Sequence, residues 1–275
     1  MERDRMKKPF RSFALLASVL SATVLMTGCA TTEMPSDITL DELELKMAQA
    51  MDPAGKYRNA YAYFQRQNIE EEGLFTTNYQ LVEVKFQRPD KFKFSYFEKN
   101  MPVTEILSIG PKAWFIDHKN NTVSEITGTA LDKVKVMLAL GHPDTDYDKL
   151  FSKVDIFLAR QSGRDCYKLV CQPALENSNP IIIYVDKEKY LPIRMELTIK
   201  TADGEKNAIS RIEKYQEFDQ VKVPSLTKVE EGWKEYLTRV VDYQLNSHFK
   251  ENEFKLPAFD PVLLENKKRR LERLR

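Results

Sequence analysis

The chain has 275 residues, of which 42% are hydrophobic and 30% charged, a composition typical of a folded globular protein rather than a disordered or collagen-like chain. Its 42 Lys and Arg against 41 Asp and Glu give a net charge of +1, which offers no overall basic field for a nucleic-acid backbone. The nine glycines are at least thirteen positions apart, which excludes glycine-rich phosphate loops because those need several glycines within one turn.

Residues 1–28 have the pattern of an export signal. Five basic residues begin the chain, and an uncharged run of fourteen residues follows from Phe13 to Met26, shorter than the roughly 20 that a membrane-spanning helix needs. The next residues, Thr27-Gly28-Cys29-Ala30, resemble the end of the lipobox of bacterial lipoproteins. The resemblance implies cleavage before Cys29 and acylation of that residue. An ordinary signal peptide followed by a chance cysteine is the alternative.

The lipobox resemblance also predicts where the protein acts. In lipoproteins of diderm bacteria, a residue other than Asp after the cysteine, here Ala30, permits export to the outer membrane. We therefore expect a cell-envelope protein that faces the periplasm and is held to the membrane by the acyl chains on Cys29. Without residues 1–28 the chain has 247 residues and a net charge of −2, which suits one large β-rich domain. Residues 29–37 are polar and contain a proline, as in a tether.

The domain begins with a helix and continues as strands. Thr39-Leu-Asp-Glu42 is a capping box, and Leu43, Met47 and Met51 follow at helical spacing, which predicts a helix over 40–51. From Lys56 the hydrophobic period changes to two. The predicted strands of the first half are 56–68, 78–88, 91–98, 102–109, 112–117 and 121–127.

The second half has the same strand-like alternation after a short helical part. An amphipathic helix is predicted over 130–140, ended by Gly141-His142-Pro143, and a helical turn over 145–151. The strands that follow are predicted at 153–161, 164–172, 180–186, 191–199, 208–218, 223–229 and 233–245, with a hairpin tip at Glu231-Gly232. The order contains no βαβ alternation, so the fold class is α+β. Because a sheet of about eleven or twelve antiparallel strands must curl, we predict an incomplete antiparallel β-barrel with a small helical lid over 38–257.

Two cysteines remain in the domain, Cys166 and Cys171. Both fall in one predicted strand, five positions apart, which places them on opposite faces and about 16 Å from each other. A disulfide accepts a Cα separation of only about 4.4–6.8 Å, so we expect two separate, mostly buried thiols.

The stretch from Val84 to Phe94 (VKFQRPDKFKF) carries a family resemblance, together with 106–117 (ILSIGPKAWFID) and the later IYVD and LPIR segments at 183–186 and 191–194. These segments resemble the lipoprotein carriers of the outer-membrane lipoprotein-sorting pathway (LolA-like) and their outer-membrane receptor (LolB-like). The similar order of elements covers residues 38–245, and the Arg-Pro block is its specific part. The family's fold is an incomplete barrel whose concave apolar side is covered by helices and accepts acyl chains.

The resemblance also suggests roles for particular residues. Arg88 matches the arginine of the family's Arg-Pro turn, which bonds the lid and helps gate the cavity, and Phe92 matches the aromatic residue of that block. A solvated turn is the alternative for Arg88. The presence of Cys29 distinguishes this chain from the carriers of the family. The carriers shuttle freely, whereas a protein anchored through Cys29 would be a stationary receptor, a donor site or a lipid-binding relative.

The dry faces of the predicted strands supply the candidate cavity lining, for which ordinary core packing is the alternative. The predicted lining residues are Val82, Val84, Phe86, Phe92, Phe94, Trp114, Ile181, Ile183 and Met195. Acyl chains of lipids or lipoproteins are the predicted partners, bound by a monomer without a cofactor, a metal or catalysis. The alternative function is that of an interaction or envelope-stress-sensing module that has the same fold but binds no lipid.

The remaining motifs give little support to an enzyme. The three histidines, His118, His142 and His248, form no HExxH motif, and no GxSxG serine elbow is present. His142, in a loop, is a candidate base or ligand, but a turn that ends a helix explains it better. Residues 258–275 form a tail with six Lys and Arg near its end. Such a basic amphipathic segment could contact anionic headgroups or an acidic partner, or remain solvated.

Overall fold

The structure is a computed structural model that describes residues 34–36, 38–71, 74–128, 130–131, 134, 145–173, 179–201, 204–232 and 234–259. The chain divides into Met1–Thr32 and a compact unit, Glu33–Arg275, which contains every element described below. Removal of residues 1–29 therefore leaves this compact unit whole.

Helix α1 spans Leu40–Met51, as the capping box predicts. The Thr39 hydroxyl oxygen Oγ1 accepts a hydrogen bond from the backbone N–H of Glu42 at 3.3 Å, which satisfies one of the unpaired donors of the first turn. Leu43, Met47 and Met51 form the buried stripe of the helix. The sequence prediction of this element is confirmed at both ends.

The described residues also form fourteen strands and a short second helix. The second helix, α2, is Tyr147–Leu150. The strands are β1 (Met34–Pro35), β2 (Ala60–Glu71), β3 (Leu74–Gln87), β4 (Lys91–Glu98), β5 (Met101–Ile109), β6 (Lys112–Asp117), β7 (Thr122–Ile126), β8 (Phe151–Gln161), β9 (Arg164–Pro173), β10 (Ile181–Asp186), β11 (Pro192–Thr201), β12 (Gly204–Phe218), β13 (Val221–Glu231) and β14 (Lys234–Leu245).

All the strands belong to one antiparallel sheet. Their order is β1-β8-β9-β10-β11-β12-β13-β14-β2-β3-β4-β5-β6-β7. Strand β14 pairs with β2, which joins the two halves of the chain, while β1 and β7 stay at the edges, so the sheet does not close. This is the α+β, incomplete antiparallel barrel that the sequence predicts, with fourteen strands rather than eleven or twelve.

Some of the observed elements differ from the predicted ones in position or extent. Met34 and Pro35, in the predicted tether, pair with Leu158 and Phe157 of β8. Strand β2 begins at Ala60 rather than at residue 56. The predicted helix over 130–140 lies mostly outside the described residues, as do its ending turn and His142.

The sheet has two covered faces. On the first, which we call the helix face, α1 packs its Leu43 and Met47 against strands β8–β10 in a cluster that includes Leu169 and Ile183. On the second, the outer face, residues 246–259 cover β5 and β6, where Phe254 packs with Leu107 and Ile116. The segment is also held by an ion pair between Lys85 Nζ of β3 and Glu253 Oε2, 3.0 Å apart.

Cys166 and Cys171 are both free and buried. Cys171 belongs to the cluster beneath α1, and the alternation of β9 places Cys166 on the other face. The prediction of two separate thiols is confirmed.

Candidate functional site

The register of the sheet places most of the predicted lining residues on the helix face. Phe86 lies opposite Phe92 and Val84 opposite Phe94 across β3 and β4, while Ile183 lies opposite Met195 across β10 and β11. Directly opposed residues in an antiparallel pair share a face. These residues nevertheless form two separate groups. The first group, in the cluster beneath α1, is Ile181, Ile183 and Met195. The second group, in an aromatic cluster with Tyr57 and Tyr61, is Val82, Val84, Phe86, Phe92 and Phe94.

Trp114 is the exception, and its placement corrects the prediction. It lies opposite Leu107, which lies opposite Lys93, so Trp114 is on the outer face with Phe254. Its neighbour Phe115, which is 41% exposed, lies on the helix face instead, opposite Ile106. The physical reason is that a strand alternates sides at every residue, so an error of one position reverses the face.

A cavity of about 110 Å³ lies on the helix face between the end of α1 and strands β2, β13 and β14. It contains none of the nine residues predicted from the sequence. Its lining residues are Met51, Tyr61, Tyr63, Gln65, Val221, Lys222, Val223, Pro224, Thr238, Val240 and Tyr243. Their side chains are mostly aromatic and aliphatic, and none of them is a carboxylate, histidine or cysteine.

Three stacked tyrosines form one wall of this cavity. The ring centroids of Tyr61 and Tyr63 are 6.0 Å apart, and the Tyr243 ring lies 5.7 Å from each of them. Burial raises the pKa of Tyr63 to about 12 and also raises the pKa values of Tyr61 and Tyr243. The three hydroxyls are therefore neutral at physiological pH, which gives the cavity a wall of uncharged rings.

Lys222 supplies the cationic group of the cavity lining. Among the residues that the structure describes, no carboxylate lies within ion-pair distance of its ammonium group. A lysine at the margin of an apolar cavity suits a ligand that carries an apolar chain and a negatively charged or polar head. The arrangement can therefore hold part of an amphiphile.

Arg88 lies beside the aromatic cluster rather than in the cavity. Its Cζ atom is 4.9 Å from the centroid of the Tyr57 ring, and its backbone N–H donates to the Asn59 carbonyl oxygen at 2.7 Å. Tyr57 follows α1 closely, and its own N–H donates to the Asp52 carboxylate at 2.8 Å. Arg88 thus contacts the segment that connects the helix to β2.

A polar cluster on the outer face contains one of the three histidines. The buried Glu105 accepts hydrogen bonds from Ser95 Oγ at 2.8 Å and pairs with His118 Nε2 at 2.9 Å and with Lys93 Nζ at 3.1 Å. Because Ser95 and His118 bond different oxygens of the same carboxylate, this is not a serine activated by a histidine.

Within the described part of the chain, no three His, Cys, Asp or Glu side chains are grouped so that they could hold a metal ion. The helices of these residues lack the length and hydrophobicity of a membrane-spanning helix.

Comparisons with solved structures identify the fold. No family model matches the sequence, and no curated protein matches it. Among solved structures, a LolA superfamily protein from Nitrosomonas europaea is 12% identical with a TM-score of 0.55, over 80% of this chain and 98% of that chain. This chain has a LolA-like fold.

Two more solved structures show the same architecture. A domain described as an outer membrane lipoprotein-sorting protein from Vibrio parahaemolyticus is 15% identical with a TM-score of 0.53, over 81% of this chain and 97% of that chain. A DUF1329 family protein from Desulfovibrio piger is 14% identical with a TM-score of 0.53, over 78% of this chain and 94% of that chain. The LolA-like fold predicted from the Arg-Pro block is confirmed.

The cavity residues that the sequence analysis missed come from segments distant in the chain. Tyr61, Tyr63 and Gln65 alternate along β2, a pattern visible in the sequence. Their apposition to Tyr243 is not visible, because it depends on the pairing of β14 with β2 and on a register shift between Val240 and Asp242.

Proposed function

We propose that this protein is a lipoprotein of the cell envelope, anchored through acylated Cys29 and facing the periplasm, that binds acyl chains without catalysis. These acyl chains belong to lipids or to other lipoproteins, and the protein takes part in lipoprotein sorting or lipid transfer. The observation that carries this proposal is the apolar cavity beneath the end of α1, lined by stacked tyrosines and by valines, in a LolA-like fold.

The size of the cavity shows what binding requires. A volume of about 110 Å³ is less than the roughly 150 Å³ of an engineered protein cavity that accepts benzene. It can therefore hold only the end of an acyl chain. Entry of a longer segment requires part of the cover to move, and Met51 at the end of α1 is the cavity-lining residue of that helix.

The free-energy cost of exposing buried side chains limits the motion to the last turn of α1. Each of Leu43, Met47 and Met51 loses about 1.5–3 kcal/mol if it leaves the core, so lifting the whole helix would cost roughly 5–9 kcal/mol. A chain of about 15 methylenes gains roughly 12 kcal/mol on leaving water, but almost none on leaving a bilayer. A chain that comes from a membrane can offset only a small movement. We therefore propose that the turn around Met51 moves while Leu43 and Met47 stay packed.

A matched pair of substitutions on one strand tests the site. Val240 lines the cavity, whereas its neighbour Val241 is 42% exposed outside it. The form lacking residues 1–29 is titrated with a fluorescent long-chain fatty acid. We expect Val240→Phe, which fills the cavity, to weaken binding at least tenfold, and Val241→Phe to leave it unchanged.

The same titration separates the two candidate functions. Equal binding by both variants would place the ligand elsewhere. No binding by the unsubstituted protein would contradict the proposal and favour an interaction module that binds no lipid. Circular dichroism of each variant shows whether a loss of binding is a loss of fold.

A further inference from the structure

The antiparallel sheet has two ends, and the turns at these ends differ. We call one end the Arg88 rim: it contains residues 52–59, 88–91, 110–112, 160–165, 186–190 and 217–222. We call the opposite end the Glu231 rim: it contains residues 98–101, 117–122, 145–153, 204–206 and 230–235, of which residue 233 lies outside the described residues. Along β8 and β13, which have eleven residues each, the rims are separated by roughly 36 Å at about 3.3 Å per residue.

The chain enters the domain at the Arg88 rim. Met34 lies opposite Leu158 and Pro35 opposite Phe157. Strand β8 runs toward the Arg88 rim and ends at Gln161, so the antiparallel β1 runs away from that rim. The N-terminal end of β1 is therefore the end nearer the Arg88 rim. Cys29 is five residues before Met34, a stretch that spans at most about 18 Å when fully extended.

The two rims also differ in charge. The ranges that define the Arg88 rim contain ten Lys and Arg against seven Asp and Glu, whereas the described residues of the Glu231 rim contain six against eight. Two of the seven acidic residues of the Arg88 rim, Asp52 and Asp186, accept hydrogen bonds from backbone N–H groups of their own turns. The excess of positive charge lies at the end where the chain enters.

The cavity lies at the same rim. Met51 is the last residue of α1, Val221 is the first residue of β13, and Tyr243 lies near the end of β14. Lys222, which has no ion-pair partner among the described residues, lines the cavity beside the turn at Asp219 and Gln220. The entry of the chain, the basic charge and the cavity are thus found together at one end of the sheet.

We propose that the Arg88 rim is a membrane-docking surface, which faces a bilayer with anionic headgroups and opens the cavity toward it. The inference rests on the proposed anchor at Cys29 and gives it an orientation. The short stretch from Cys29 to Met34 holds this rim near the bilayer, and basic residues near an anionic surface each add attraction. An acyl chain can then pass between bilayer and cavity without crossing water.

The far rim is where the described chain ends. The ring of Phe259 lies against His118, with centroids 5.9 Å apart, and His118 follows β6 at the Glu231 rim. The segment 246–259 therefore ends near the Glu231 rim, on the side away from the proposed membrane.

Fluorescence quenching tests the orientation directly. The full-length lipoprotein, carrying a fluorophore at Lys189→Cys of the Arg88 rim or at Glu205→Cys of the Glu231 rim, is reconstituted into phosphatidylcholine and phosphatidylglycerol vesicles that contain a headgroup-linked quencher. Cys166 and Cys171 are buried, so they do not compete for the label. We expect the quencher to reduce the emission severalfold at position 189 and hardly at 205. Equal quenching, or stronger quenching at 205, would overturn the proposal.

Charge reversal tests the attraction without the anchor. The form lacking residues 1–29 is sedimented with phosphatidylglycerol-containing vesicles. We expect Arg160→Glu with Lys189→Glu to weaken binding roughly tenfold or more, and the control Lys153→Glu with Lys206→Glu at the Glu231 rim to have little effect. Equal effects of the two pairs would contradict a specific surface. Either result is independent of the fatty-acid titration, so an incorrect orientation is distinguishable from a failure of lipid binding.

Discussion

The guanidinium carbon of Arg88 lies 4.9 Å from the centre of the Tyr57 ring. Tyr57 is a buried member of the aromatic cluster, and it lies in the segment that connects α1 to β2. Burial raises its pKa to about 12 although the positive charge of Arg88 opposes the shift. The pair thus joins the Arg-Pro turn to the chain that leaves the helix.

Removal of this contact is expected to speed lipid release at only a small loss of stability. A cation–π pair at an exposed site contributes about 0.5–1 kcal/mol, which corresponds to a twofold to fivefold change in rate. We predict that Arg88→Leu releases a fluorescent fatty acid about that much faster in stopped-flow displacement, while chemical denaturation shows a loss below about 1 kcal/mol. Arg88→Lys is the control, since it retains the charge. A large loss of stability would make Arg88 a structural residue only.

Glu105 is expected to make the domain sensitive to acid. Burial tends to raise its pKa, but the bond to His118, the charge of Lys93 and the bond from Ser95 together outweigh burial and lower the pKa below its ordinary value of 4.5. A carboxyl with a lowered folded-state pKa stabilises the fold above its unfolded pKa, and this contribution is lost as the pH falls through the folded-state value.

The test compares unfolding at neutral and acidic pH. We predict that Glu105→Gln lowers the free energy of unfolding at pH 7 and flattens the pH dependence below about 4.5. The exposed Glu251 serves as the control, as Glu251→Gln should leave both unchanged. An unaltered acid transition in Glu105→Gln would show that this carboxylate does not contribute to it.

The two domain cysteines are expected to be unreactive in the folded protein. Burial raises the pKa of Cys171 to about 12 and also raises that of Cys166. Since the thiolate is the reactive form, we predict negligible labelling of both by a thiol reagent at pH 8 and complete labelling after denaturation. Mass spectrometry of the peptides reads the result, and a disulfide between the two would contradict the register of β9.

Phe254 is expected to hold the segment 246–259 on the outer face. Its side chain is 6% exposed and packs with Leu107 and Ile116. Truncation of a buried Phe costs about 3–5 kcal/mol, so Phe254→Ala should lower the free energy of unfolding by about 3 kcal/mol. The neighbouring Leu256 is 41% exposed, and Leu256→Ala should cost less than about 0.5 kcal/mol. Similar losses for both would mean that the segment does not pack as described.

The sequence predicts those features that depend on local pattern. The capping box at Thr39 specifies the start of α1, and alternation of period two identifies the strands and the shared face of Val84, Phe94 and Ile183. The predicted face of Trp114 is wrong by one position of the alternation. The face depends on the residue at which β6 begins after the Gly110 turn.

The cavity itself could not be predicted because it depends on long-range pairing. Tyr63 of β2 meets Tyr243 of β14 only when the last strand returns to the first half of the sheet. Two positions so far apart in the chain carry no local signal of their contact. The two residues of β1 were similarly hidden in a polar segment, since an edge strand this short has no hydrophobic period.

The lipid content of the purified protein tests directly whether the folded domain holds acyl chains. The form lacking residues 1–29 is expressed with its export signal exchanged for one without a lipobox, purified without detergent, and extracted with organic solvent for mass spectrometry. We expect an acyl lipid to co-purify with the unsubstituted protein and with Val241→Phe, but not with Val240→Phe. An extract without acyl lipid, from a protein that also fails to bind the fluorescent fatty acid, would contradict the proposed binding of acyl chains.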